Sequence, residues 1–222
     1  MRVLATKLFC ILTVVLVLTL DPAGAGVVTS IPGGTVVPMP ADNYFGPGPE
    51  TFGPGITWTS TNASDEGTSV FGWTGGYGFL GNGTWGGDLG RMAGLNNSYD
   101  FYGVTESMTF TFATPVSAVG GFLNYVPYQT TPTTIAVYGV DDNLIGSYNL
   151  TFLTGGGDDL GQFLGFQESS AVIKSFVLTD NFIGIVNLTY AGGSVVPEPG
   201  TLFPAAAGVL LLAGLIRRKI RA

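Results

Sequence analysis

Residues 108–112 read Met-Thr-Phe-Thr-Phe, apolar at every second position with threonine between. A period of two is the spacing of side chains on one face of a β-strand, and it constrains the fold of this chain more than any other feature. Ile135 and Val137 alternate with Ala136 and Tyr138, and the pattern resumes from Leu144 to Phe152 through Tyr148 and Leu150. Two β-branched runs follow, Ile173 to Thr179 and Ile183 to Tyr190. Turn formers separate the runs: Thr114-Pro115, Val126-Pro127, Asp141-Asp142-Asn143, Gly155-Gly156-Gly157-Asp158-Asp159 and Asp180-Asn181. No helical period of useful length occurs before residue 201. Many short strands with regular turns predict an all-β fold, a single jelly-roll-like β-sandwich over residues 41–190.

Glycine supplies 35 of the 222 residues, while charged residues make up only 10%. Frequent aromatic and β-branched residues can bury a core, which excludes disorder, and the absence of a fixed glycine period excludes a collagen helix. Residues 26–40, rich in Pro, Gly and Val, read as a flexible leader or an edge strand. Residues 191–200 read as a linker.

The two ends read as addresses. Residues 1–25 form a secretory signal: Arg2 and Lys7, an uncharged run from Leu8 to Leu20, then the small residues Ala23-Gly24-Ala25 as the cleavage pattern, predicting a mature start at Gly26. Thirteen residues of helix would reach about 20 Å, short of a ~30 Å bilayer core, which favours a signal peptide over a retained anchor. Cys10, the one cysteine, lies inside that run, and the chain has no histidine. The mature protein is therefore expected to lack disulfides, thiolate nucleophiles, Cys/His zinc sites and any Ser-His-Asp triad.

At the other end stand Pro197-Glu198-Pro199, an apolar stretch from Leu202 to Ile216 and the basic cluster Arg217-Arg218-Lys219 with Arg221. Residues 201–222 predict a single short hydrophobic helix, with Pro204 in its first turn and the basic end on the cytoplasmic side. This three-part tail resembles the PEP-CTERM sorting signal of Gram-negative bacteria. The resemblance implies export by the secretion machinery and transient anchoring by the helix. An exosortase-type transpeptidase would then process the tail near Pro197-Glu198-Pro199. Surface or matrix delivery and association with exopolysaccharide and biofilm are implied in the same way. The alternative is a plain single-span anchor. The stretch between the ends is similar to the all-β modules that such proteins carry, over Phe71 to Phe79, Thr109 to Tyr125 and Ile183 to Tyr190. Related jelly rolls often place an Asp two residues into the last strand, where this chain has Val186.

Between Gly26 and Pro199 there are 14 acidic residues (15 less Asp21) and two basic ones, Arg91 and Lys174, a balance of −12. Such a polyanion repels nucleic-acid phosphates, so no nucleic-acid partner is expected. All three tryptophans fall in an aromatic–glycine region with Phe71, Tyr77 and Phe79. Aromatic faces stack on sugars, which makes Trp73, Tyr77 and Trp85, with Asn82 and Asp88 as polar contacts, candidates for carbohydrate binding. The preferred reading of the same residues is a core cluster, with glycines at bulges and turns.

Asp141, Asp142, Asp158 and Asp159, with Asn143, could supply oxygens to a structural Ca²⁺, or serve simply as turn residues. No other cofactor is expected. Asp65, Glu66, Asp141, Asp158 and Glu168 could in principle pair for glycoside hydrolysis, but no spacing pairs them, and no catalytic residue or enzyme activity is expected. Asn-x-Ser/Thr triplets start at Asn62, Asn82, Asn96, Asn149 and Asn187; chance supplies several in a chain rich in Asn and Thr, and they would matter only if the sorting reading were wrong and the source eukaryotic. The sequence thus points to a structural or adhesive surface protein, with an exopolysaccharide-binding module as the alternative.

Overall fold

The computed structural model describes residues 24–62, 69–96, 106–180 and 182–192. The signal segment through Ala23, Asp65, Glu66, the Pro-Glu-Pro motif and the whole sorting tail lie outside the described residues. In chain order the strands are β1 (Gly26–Val28), β2 (Thr35–Val37), β3 (Tyr44–Phe45), β4 (Glu50–Phe52), β5 (Ile56–Ser60), β6 (Val70–Trp73), β7 (Tyr77–Gly78) and β8 (Thr84–Trp85). They continue with β9 (Met92–Asn96), β10 (Ser107–Val116), β11 (Ala118–Tyr125), β12 (Thr134–Tyr138), β13 (Leu144–Asn149), β14 (Gln162–Gln167), β15 (Ile173–Thr179) and β16 (Phe182–Ala191). Helical content among the described residues is two single 3-10 turns, Leu80–Asn82 and Gly87–Leu89, and no helix there is long and apolar enough to cross a membrane.

The strands form two large antiparallel sheets. One has the order β1-β14-β11-β16-β9-β6-β3, with β2 adding to the far part of β16; the other has the order β13-β12-β15-β10-β5-β4. Their inner faces share one core, in which rings from opposite sheets meet. Trp58 of β5 stacks on Phe71 of β6 at 5.1 Å, Phe52 meets Phe71 edge-on at 5.1 Å, and Phe166 faces Phe176 at 6.5 Å. The alternation in β10 is the cause on one side: Met108, Phe110 and Phe112 are buried there, with half-buried threonines between them. The all-β sandwich expected from periodicity is therefore present.

The first sheet is covered on both faces. Phe71, Ala93, Leu95 and Leu123 point into the main core, while Val70, Met92 and Val186 point the other way and meet a second cluster. That cluster is supplied by residues 77–85: the small ribbon β7–β8, in which Tyr77 pairs with Trp85, lies over the outer face of the sheet. Strands buried on both faces lose the alternating pattern, and β11 and β16 accordingly read as nearly continuous apolar runs.

Of the two readings of residues 26–40, the edge strand is the one found: β1 pairs with β14 at the edge of the first sheet, and β2 pairs with β16. One sequence expectation needs adjustment. Thr114-Pro115 does not end a strand: β10 runs through it, with a break in register between Thr111 and Val116 opposite β15. Proline, which lacks an N–H, is tolerated at such a break. Lys174 covers the carbonyls freed there, donating to Phe112 O at 2.5 Å and Ala113 O at 3.2 Å.

Candidate functional site

The residues named from sequence as sugar contacts fall in three different environments. Tyr77 and Trp85 belong to the second core; Trp85 is 1% exposed, and the Tyr77 hydroxyl donates to Leu95 O. Burial pushes the Tyr77 hydroxyl far above the usual tyrosine range, reinforced by the nearby Asp180 carboxylate. Their faces lie against protein. Trp73 is half-buried, its Nε1 donates to Gly76 O at 3.3 Å, and its ring stands edge-on to the exposed Phe45 at 5.2 Å. Asp88 is exposed on a 3-10 turn. The structure thus brings Tyr77 and Trp85 together inside the protein and leaves Trp73 and Asp88 at the surface.

Asn82 is fully buried and acts as a hub. Its Nδ2 donates to Tyr125 O at 3.1 Å and to Phe152 O at 3.5 Å, while its Oδ1 accepts from Thr154 N at 3.3 Å. Its backbone carbonyl accepts from Asn124 Nδ2 at 3.0 Å and Thr154 Oγ1 at 2.8 Å. One amide side chain therefore ties the turn at 80–82, the end of β11 and the segment 152–154 into one unit at one end of the sandwich. Buried polar groups must be paired, and here the pairing unites loops far apart in sequence.

Beside this hub opens a cleft of about 190 Å³, lined by Tyr125, Tyr128, Gln129, Thr131, Thr133 and Leu153 among others. Tyr128 is 84% exposed and holds a backbone φ of +64°, and the exposed Leu80 nearby holds +48°. Bulky residues seldom adopt that conformation. Gly81 sits against Pro127, so the Leu80 turn adjoins the Tyr128 loop. The back wall is anchored: the Thr133 hydroxyl donates to the buried Asp180 carboxylate, and Tyr125 Oη donates to Phe152 O at 3.0 Å. Burial and the Asp180 charge push the Tyr125 hydroxyl up. Sequence reading missed this end; the prolines at 127 and 132 were its signal, and nothing in the sequence marked Asp180 as buried.

The acidic turns stand apart from one another. Asp141 and Asp142 form the β12–β13 turn, with Gly139 N donating to Asn143 O at 2.9 Å and Asp142 at φ +56°. Asp158 and Asp159 lie beside Thr84, where Asp159 N donates to Thr84 O and Asp159 Oδ1 accepts from Gly161 N at 2.7 Å. No group of three or more His, Cys, Asp or Glu that could hold a metal occurs among the described residues. The main chains of two other acidic residues meet just beyond the ends of β10 and β15, where Asp180 N donates to Glu106 O at 3.0 Å. Burial pushes the Glu106 carboxyl above the usual glutamate range, partly offset by a hydrogen bond with Asn62. Of the cleavage pattern, Ala25 is described, and its N–H donates to Ile145 O at 2.8 Å.

No family model, no curated protein and no solved structure matches the chain.

Proposed function

We propose that the chain is an exported surface or matrix protein, delivered by a Pro-Glu-Pro sorting tail, whose β-sandwich is of jelly-roll type and serves a structural or adhesive role without catalysis. The observation that carries the reading is the tail itself: Pro197-Glu198-Pro199, the apolar run to Ile216 and Arg217-Arg218-Lys219, in that order. Strand order supports the fold assignment. Strands β14-β11-β16-β9 face β13-β12-β15-β10, an arrangement that two interlocked Greek keys produce. The last described strand ends at Ala191, and five residues separate it from Pro197 in the sequence. The partners of this reading are the secretion machinery and an exosortase-type transpeptidase. A glycan-binding role is the second reading, favoured by aromatic rings that remain open to solvent, Tyr128 above all.

The test is delivery. Glu198→Ala, and separately deletion of residues 202–216, are expected to leave thermal melting unchanged while the protein fails to reach the cell surface in fractionation and surface-labelling assays. Normal surface delivery of both variants would sink the proposal.

A further inference from the structure

The cleft beside Tyr128 has the makings of a ligand site that the aromatic–glycine region lacks. Its outermost side chain is a tyrosine ring 84% exposed, carried at φ +64°. Backbone strain at a bulky residue persists only where the surroundings enforce it. Here they do: Pro127 is buried, Gln129 Nε2 donates to Val126 O at 3.3 Å, and the Asn82 hub fixes the neighbouring segments. The ring therefore projects from a rigid platform. Around it stand an amide and three hydroxyls, from Gln129, Thr131, Thr133 and Thr151, and the apolar Leu153, itself 52% exposed.

Among the described residues no Asp, Glu, Lys or Arg lines the cleft, although residues 26–199 carry 14 carboxylates against two cations. An acidic ligand would be repelled by that surplus, and a cationic one would find no partner in the cleft. A ring face flanked by hydroxyl and amide groups matches the alternating C–H and O–H surfaces of a neutral pyranose. We propose that the Tyr128 cleft binds neutral polysaccharide, one sugar stacking on the Tyr128 ring while Gln129, Thr131 and Thr151 bond its hydroxyls. Thr133, committed to Asp180, and Tyr125 shape the wall. This rests on the second, glycan-binding reading and is independent of surface delivery. The hydroxyl and amide groups around the ring, which hydrocarbon would leave unpaired, argue against a bilayer-inserting tip.

The experiment is affinity electrophoresis of the full chain, solubilised in a polyoxyethylene detergent so that no glucoside competes, through gels containing dextran, galactomannan or pullulan. Retardation by at least one of the three is expected. Tyr128→Phe should bind within threefold of the parent, and Tyr128→Ala at least tenfold more weakly. Tyr128→Gly removes the ring and relieves the strained φ, so it should lose binding with Tm equal to or above the parent. Absence of retardation in all three gels overturns the glycan reading as a whole. Retardation unchanged in Tyr128→Gly, or abolished instead by Trp73→Ala, overturns this site while leaving glycan binding in place. A Tm several degrees lower in Tyr128→Gly would make the ring a packing element and equally overturn it. So would Tyr128-dependent binding to phosphatidylcholine vesicles without any polysaccharide retardation.

Discussion

Asn124 donates its side-chain amide to the backbone carbonyl of Asn82 at 3.0 Å, and both residues are at most 1% exposed. The bond joins the outer face of the first sheet to the segment that covers it, 42 positions away in sequence.

Truncating this hub should be costly. Asn82→Ala removes the side-chain partner of the Tyr125 carbonyl and the Thr154 N–H in a buried setting, while the Phe152 carbonyl keeps its bond from Tyr125 Oη. A loss of about 2–4 kcal/mol is expected, read as a lower urea midpoint at unchanged slope. A midpoint within experimental error of the parent would show that the covering segment is held by its aromatic packing alone.

Glu106 gives the fold a pH dependence of definite sign. Its carboxyl is raised by burial, and Oε2 makes no hydrogen bond among the described residues. A raised acid binds its proton more tightly in the folded state, so its contribution is favourable below the unfolded value of about 4.5 and is lost as pH rises through the folded value. Glu106→Gln removes the penalty and can keep the contact to Asn62. At pH 7 it should raise stability, read as a higher Tm, and the gain should close at or below pH 4. A gain that stayed constant from pH 4 to pH 8 would remove Glu106 titration as its source.

Gly72 lies in the bulge where β6 pairs irregularly with β9, at φ +67°, and an added Cβ would fall 2.2 Å from Pro40 O. The obstacle is backbone, not a flexible side chain. Gly72→Ala should therefore cost about 3 kcal/mol, roughly 6–12 °C in Tm by calorimetry. An unchanged melting temperature would contradict the close packing of residues 40–42 on β6.

Tryptophan emission should divide by burial. Trp58 and Trp85 are at most 1% exposed, whereas Trp73 lies half-buried beside the exposed Phe45. Iodide is expected to quench only a minor, red-side component, and Trp73→Phe should abolish that component. Substantial quenching that survives Trp73→Phe would place another tryptophan at the surface.

How much of this could be read from the chain follows from which strands have one dry face. Strands β10, β12 and β15 lie in the second sheet, and their alternation or β-branched runs announced them. The central strands of the first sheet are covered on both sides; β11 and β14, with glycines in the middle, carry no period to detect. The same covering layer explains the aromatic–glycine stretch. Its composition suited a sugar site and a core equally, and only the position of Tyr77 and Trp85 over Met92 and Val186 separates the two. Tyr128 was invisible for the opposite reason: one tyrosine in a Pro-rich loop has no pattern, and its interest arises from a backbone angle.

Strand β16 is hydrogen-bonded on both flanks, to β11 on one side and to β9 and β2 on the other, and the chain beyond it leads to the basic tail. A tensile load applied through that tail enters the sandwich along a central strand. To yield, β16 must slide past both neighbours at once and break many bonds together, a shear failure, where an edge strand would peel away bond by bond. On the proposed tethering, the domain would resist being pulled apart from the end that holds it.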